Sequence, residues 1–266
     1  MRPFFALLAL AFCPLIHGEA PPLQQWIDEA IQAGGGIVTV PEGTHVLDQG
    51  LILNKAKKLA LRGVNKERCI LKLRPQPAPS QPTHLITLTG GCETLEIANL
   101  TLDGALENKS QVAELILVDG MAAPSDAPFK DITLRDCLLQ NFSGSGVLFH
   151  RTEGGVIERC SFRDGGTQAI GFWNFSKGCI ARGNRITRVS KAFDLLNSST
   201  CLIEGNEVGE CEIGVSILNE HPASDKERHI LRNNGFSNSF LFVQPGGGTP
   251  QPLTEANDGL IPFPKN

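Results

Sequence analysis

Tyrosine is absent from the 266 residues and tryptophan occurs only twice. A glycan cleft built from stacked aromatic faces is therefore disfavoured, while polar or ionic recognition of a sugar stays open. No Cys-x-x-Cys spacing occurs, which argues against zinc and dithiol modules. Positive charge is not in excess. The formal net charge is -4, so nucleic acid is not an expected partner. Long apolar runs are missing too. Residues 4–16 are the best candidate, and they fall short of the ~20 residues that a membrane-spanning helix needs. No transmembrane segment is expected in the mature chain. With Arg2 before this run and Gly18 after it, residues 1–18 have the form of an export signal. The mature protein is then secreted or periplasmic. Seven cysteines follow the signal, an odd number, so at least one stays unpaired within the chain.

What the sequence does contain is a repeat of about 23 residues. Residues 155–176, 178–199 and 201–221 align almost without gaps, flanked by 131–151 and 229–244. One column reads Asn99, Asp136, Cys160, Asn184, Asn206 and Asn234. Two residues on lie Thr101, Leu138, Phe162, Ile186, Val208 and Phe236. A second apolar column holds Leu115, Val147, Ile170, Phe193, Val215 and Phe240, and a third Leu117, Phe149, Phe172, Leu195, Ile217 and Phe242. Alternation at period two predicts strands with one buried face. A unit this short cannot bury that face alone, so the units must stack into a solenoid with strands ~4.8 Å apart. The expected fold is all-β: a single-stranded right-handed parallel β-helix over residues 19–244, followed by a Pro/Gly-rich tail, 245–266. Asn184, Asn206 and Asn234 then form an amide ladder. Glu158, Arg182, Glu204 and Arg232 alternate in sign at the same spacing and predict a surface ion-pair ladder. Leu23, Trp26, Ile27, Ala30 and Ile31 recur at helical spacing ahead of Gly34, which predicts an amphipathic helix capping the open end of the stack.

Residues 34–53, GGGIVTVPEGTHVLDQGLIL, resemble the opening coil of pectate-lyase-like β-helix proteins. Residues 58–63 (KLALRG) and 97–104 (IANLTLDG) are similar to phrases that recur there. The likeness spans residues 22–244 and covers polysaccharide lyases and uronan epimerases. It implies the fold and an acidic polysaccharide as partner, with calcium as a candidate cofactor. The acid motifs of polygalacturonase-type hydrolases are not found: residues 193–197 (FDLLN) carry one acid where such a motif would need more.

In that family the ligand groove crosses the outward face of one sheet. The columns here place Ile116, Leu148, Gly171, Asp194, Ser216 and Leu241 on the face. Beside them come Val118, His150, Trp173, Leu196, Leu218 and Val243, then Asp119, Arg151, Asn174, Asn197, Asn219 and Gln244 at the turn. Asp194 is the one carboxylate in the middle. Two-carboxylate hydrolysis needs a second acid ~5–9.5 Å away, and the flanking positions hold Gly171 and Ser216. Lyase or epimerase chemistry needs a base and a cation to neutralise the substrate carboxylate. Asp194, Lys191, His150 and Arg151 supply those types, with Trp173, Glu220 and His221 as substrate contacts. The competing expectation is a non-catalytic glycan-binding or structural β-helix, which the aliphatic residues on the same face favour. Cys179 and Cys201 stack in adjacent coils, within disulfide range by strand spacing; a bridge and a reduced pair are both open.

Overall fold

The computed structural model describes residues 22–74, 83–105, 112–122, 127, 129–220, 225–243 and 250–262. The expected export signal and His221 lie outside the described residues.

The chain winds as a right-handed parallel β-helix with three strands per coil. The coil after residue 155 is representative. Val156–Glu158, Ser161–Gly165 and Gln168–Trp173 are its three strands, and each pairs in parallel with its counterpart one coil on. Equivalent strands therefore form three files, first, second and third in chain order. The long strand Gly235–Val243 serves both the second and the third file. Buried aliphatic and aromatic side chains fill the interior. Val147, Ile170, Phe193 and Val215 are opposite one another in successive coils and fully buried.

The amide ladder exists, with one correction. Asn184 donates through Nδ2 to Asn206 Oδ1 (3.0 Å), Asn206 to Asn234 Oδ1 (2.9 Å), and Asn234 to Asn257 Oδ1 (2.8 Å). Each Nδ2 also donates to a backbone oxygen one coil back, Ile157, Ala181 and Ile203 in turn. Below Asn184 the file continues through Cys160 and Cys137, not Asp136, because Leu138 pairs with Ser161. The repeat is not constant: successive ladder positions lie 24, 22 and 28 residues apart. A fixed count therefore slips by one in the outer coils. The same slip affects the apolar columns at both ends. Ile116 and Val118, not Leu115 and Leu117, stand opposite Val147 and Phe149, and Leu241 and Val243, not Phe240 and Phe242, oppose Val215 and Ile217.

The ion-pair ladder is present on the outside of the first file. Arg182 Nε donates to Glu158 (2.8 Å) and Arg232 Nε to Glu204 (2.7 Å). The register extends it to Arg135 on one side and Glu255 on the other. The helix Leu23–Gln32 buries Leu23 and Ile27 on the first coil, as a cap requires. Past residue 244 the stack continues. Leu253–Glu255 joins the first file and Asp258–Pro262 pairs with Gly235–Val243, so much of the segment expected as a tail forms a further coil.

Candidate functional site

The third file presents its outward face through Ser145–His150, Gln168–Trp173, Lys191–Leu196 and Ile213–Leu218. Register places Leu148, Gly171, Asp194 and Ser216 in one row, and His150, Trp173, Leu196 and Leu218 in another. Leu117 belongs to the first row and Asp119 stands beside His150, where the sequence columns had put Ile116 and Val118.

Gly171 shapes the centre. A Cβ there would come within 2.6 Å of Leu148 Cδ1 and 3.3 Å of Trp173 Nε1. The missing side chain lets the indole fold back across the strand, where Nε1–H donates to Asp194 Oδ2 at 3.2 Å. Lys191 Nζ lies 3.5 Å from Asp194 Oδ1. Asp194 is thus 6% exposed with both oxygens engaged. It anchors Trp173 and Lys191 instead of standing open to solvent. The Lys191 side chain remains 30% exposed.

His150 is edge-on to Trp173, ring centroids 5.7 Å apart, and its Nδ1 lies 3.0 Å from Asn174 Nδ2. Burial lowers its pKa below the ordinary histidine value, against the opposing pull of Asp119 and Glu114. A neutral ring whose Nδ1 accepts from an amide carries its proton on Nε2. The two asparagines at the turn, Asn174 and Asn197, have positive φ (47° and 49°), which asparagine tolerates better than most residues. Asn197 binds Glu220 twice, through the Glu220 backbone N–H (2.8 Å) and carboxylate (3.0 Å). Glu220 is one coil and about four residues from Asp194, on the order of 14 Å by strand spacing, outside the range for paired carboxylates. Arg151 turns away: its Nη1 donates to Gly120 O at 3.2 Å.

Sequence reasoning named Lys191 but missed the rest of its row, His84, Glu114, Ser145 and Gln168. His84 Nδ1 is 2.6 Å from Glu114 Oε2, and Gln168 donates to Ser145 Oγ at 2.9 Å. The one-residue slip hid this row, since it moved Glu114 out of line with Lys191. Among the described residues no group of three or more His, Cys, Asp and Glu side chains is placed to hold a metal ion. The described residues therefore offer calcium no carboxylate cluster. Cys179 and Cys201 do stack, as buried free thiols; burial beside Cys179 pushes Cys201 well above the ordinary thiol value.

A family model described as right handed β-helix region matches residues 86–250, more than half of the chain. The protein belongs to the right-handed β-helix family. No curated protein matches it in sequence. The N-terminal fragment of bacteriophage phi29 gene product 12 is similar in structure, with a TM-score of 0.61 and 15% identity over 88% of this chain and 50% of the other. A mannuronic acid specific polysaccharide family 6 lyase from human gut microbiota gives 0.60 and 13%, over 89% and 58%. The A-module of the mannuronan C-5 epimerase AlgE6 of Azotobacter vinelandii gives 0.51 and 14%, over 92% and 95%. At these identities the likeness establishes the fold. The β-helix of this protein spans about half the length of the first of these relatives. Among the described residues no helix is long and apolar enough to cross a membrane.

Proposed function

We propose that this β-helix protein is exported and acts on an acidic polysaccharide laid across the third file, by proton abstraction beside a uronate carboxylate rather than by hydrolysis. One observation carries this reading: a half-exposed lysine, Lys191, fixed on the face by a buried carboxylate, Asp194, whose neighbours in the row, Gly171 and Ser216, supply no second acid. Lys191 neutralises the substrate carboxylate, which acidifies the proton beside it. Asp194 and Trp173 hold the lysine in place. His150, neutral and two coils away, is the group suited to exchanging a proton at pH 7. The lyase and epimerase among the structural relatives act on mannuronan-type chains by their names, which supports the substrate class.

The test is to incubate the purified protein with polymannuronate, polyguluronate and polygalacturonate, with and without calcium. Unsaturated uronate ends are followed by ultraviolet absorbance, and epimer ratio by NMR. Product that is lost in Lys191→Ala supports the proposal. A flat trace and an unchanged epimer ratio on every polymer overturn it. A second reading, glycan binding without turnover, is favoured by Leu148, Leu196 and Leu218 on the same face; it predicts retarded migration in uronan-containing gels with no product.

A further inference from the structure

The outward face of the first file carries a pattern that the groove does not use. Val156, Ile180, Leu202, Ile230 and Leu253 stand opposite one another in five successive coils. The first three are half-buried, and Ile230 and Leu253 are 38% and 51% exposed. Single exposed aliphatics need no explanation, but a continuous row does. Two residues further along each strand runs the charged ladder: Arg135, Glu158, Arg182, Glu204, Arg232 and Glu255.

We propose that two copies of this chain pack together through this face, about a two-fold axis that lies in the interface and runs along the strands. That operator keeps position along the strand and reverses the order of the coils. The aliphatic row therefore meets its own copy, Ile180 on Leu202 and Val156 on Ile230, and the ladder meets itself reversed. An alternating ladder with an even number of members is self-complementary on reversal. Arg182 faces the partner subunit's Glu204, Glu158 the partner's Arg232, and Arg135 the partner's Glu255. A two-fold axis along the coil stack would reverse the strands instead and lay the ladder off its own copy. Within each chain Arg182 already pairs with Glu158 and Arg232 with Glu204, and the partner's ladder extends this network.

The area sets the strength. Of the nine successive strands along this file, the six from Phe129–Arg135 to Leu253–Glu255 overlap under this operator. At ~4.8 Å per strand, and about four residues of ~3.3 Å along each, the flat footprint is roughly 380 Å² per copy. A standard stable interface covers ~800 Å² per partner. The association is thus expected to be weak, in the upper micromolar range, and not an obligate dimer.

Sedimentation velocity of the full chain over a hundredfold range of micromolar concentration tests this. The wild type should shift from monomer to dimer. Arg182→Glu and Glu204→Arg should each raise the dissociation constant at least tenfold, because each variant sets like charges against each other in its own homodimer. Mixing the two variants in equal amounts should restore dimer, since the first then presents two negative positions to two positive ones. Ile230→Asp, at an exposed position that leaves the ladder intact, should also dissociate the dimer. A wild type that stays monomeric, variants that associate like the wild type, or a mixture that fails to recover would each overturn the proposal.

Discussion

His229 makes this stack sensitive to mild acid. It follows Cys179 and Cys201 in the interior file, is 1% exposed, and its Nδ1 accepts the backbone N–H of Cys201 at 3.2 Å. Burial pushes its pKa from 6.5 down to about 4, only partly offset by a backbone contact with Ser198. The folded ring is neutral at pH 7, whereas the unfolded chain takes up a proton near pH 6.5. As pH falls from 6.5 towards 4 the unfolded state binds more protons than the folded one, so stability is lost across that window. At one pKa unit per ~1.36 kcal/mol, the loss between pH 7.5 and 5 is about 2 kcal/mol, with a ceiling of about 3 kcal/mol below pH 4. Urea unfolding followed by circular dichroism at pH 7.5, 6 and 5 measures it. His229→Asn keeps an acceptor near the Cys201 N–H and removes the titration. The variant starts less stable, but it should lose about 2 kcal/mol less than the wild type on acidification. Parallel pH dependences for the two proteins would refute the reasoning.

Other parts of the molecule give sharp expectations. Asn206→Ala strips partners from the Ala181 carbonyl, the Asn184 N–H groups and Asn234 inside the turn; at ~1–3 kcal/mol per orphaned buried group the loss should be about 4 kcal/mol in urea unfolding. Below pH ~4.5 a second phase of acid loss is expected. Arg159 holds Asp136 below the usual carboxylate range, and Glu158 is held low by Arg182 and Arg159 against the effect of its own burial. Their stabilisation is present above the unfolded pKa and fades as pH falls through the folded one, so melting temperature should drop faster there in the wild type than in Glu158→Gln. Gly171→Val places a side chain against Leu148 and the Trp173 indole. In a Trp26→Phe background it should red-shift the Trp173 emission and increase its quenching by iodide, and unchanged quenching would show that Gly171 does not hold the indole down.

The stack was legible in the sequence because its cause is local and repeated. Phe172, Leu195 and Ile217 alternate with outward residues at period two, and the asparagine amides recur where each coil turns. The helix over Leu23–Gln32 was visible for the same reason. Errors came where coils change length. The step from Cys160 to Asn184 is 24 residues but that from Cys137 to Cys160 is 23, so a count carried back unchanged landed on Asp136. The site was less legible because it depends on lateral neighbours. That Asp194 is buried follows from Gly171 vacating space one coil away and from Trp173 folding into it, and no pattern within one strand encodes that. The continuation through Asp258–Pro262 was missed because a Pro/Gly-rich composition masks two short strands whose partners lie one coil back.

Asp194 also allows its two roles to be separated. If its carboxylate took the substrate proton, any neutral replacement would abolish turnover alike. On the proposed reading it is a positioning residue, with Oδ2 held by Trp173 and Oδ1 facing Lys191. Asp194→Asn keeps an acceptor for the indole and gives up the charge opposite Lys191, whereas Asp194→Ala loses both and opens a cavity beneath the indole. In the uronate assay Asp194→Asn should raise KM, since an unanchored ammonium binds the substrate carboxylate less well, while leaving a measurable kcat. Asp194→Ala should lower both binding and kcat, and should release Trp173 in the iodide-quenching measurement where Asp194→Asn does not. Equal and complete loss of kcat in the two variants, with Trp173 still shielded in both, would make Asp194 the base and leave Lys191 without its assigned anchor.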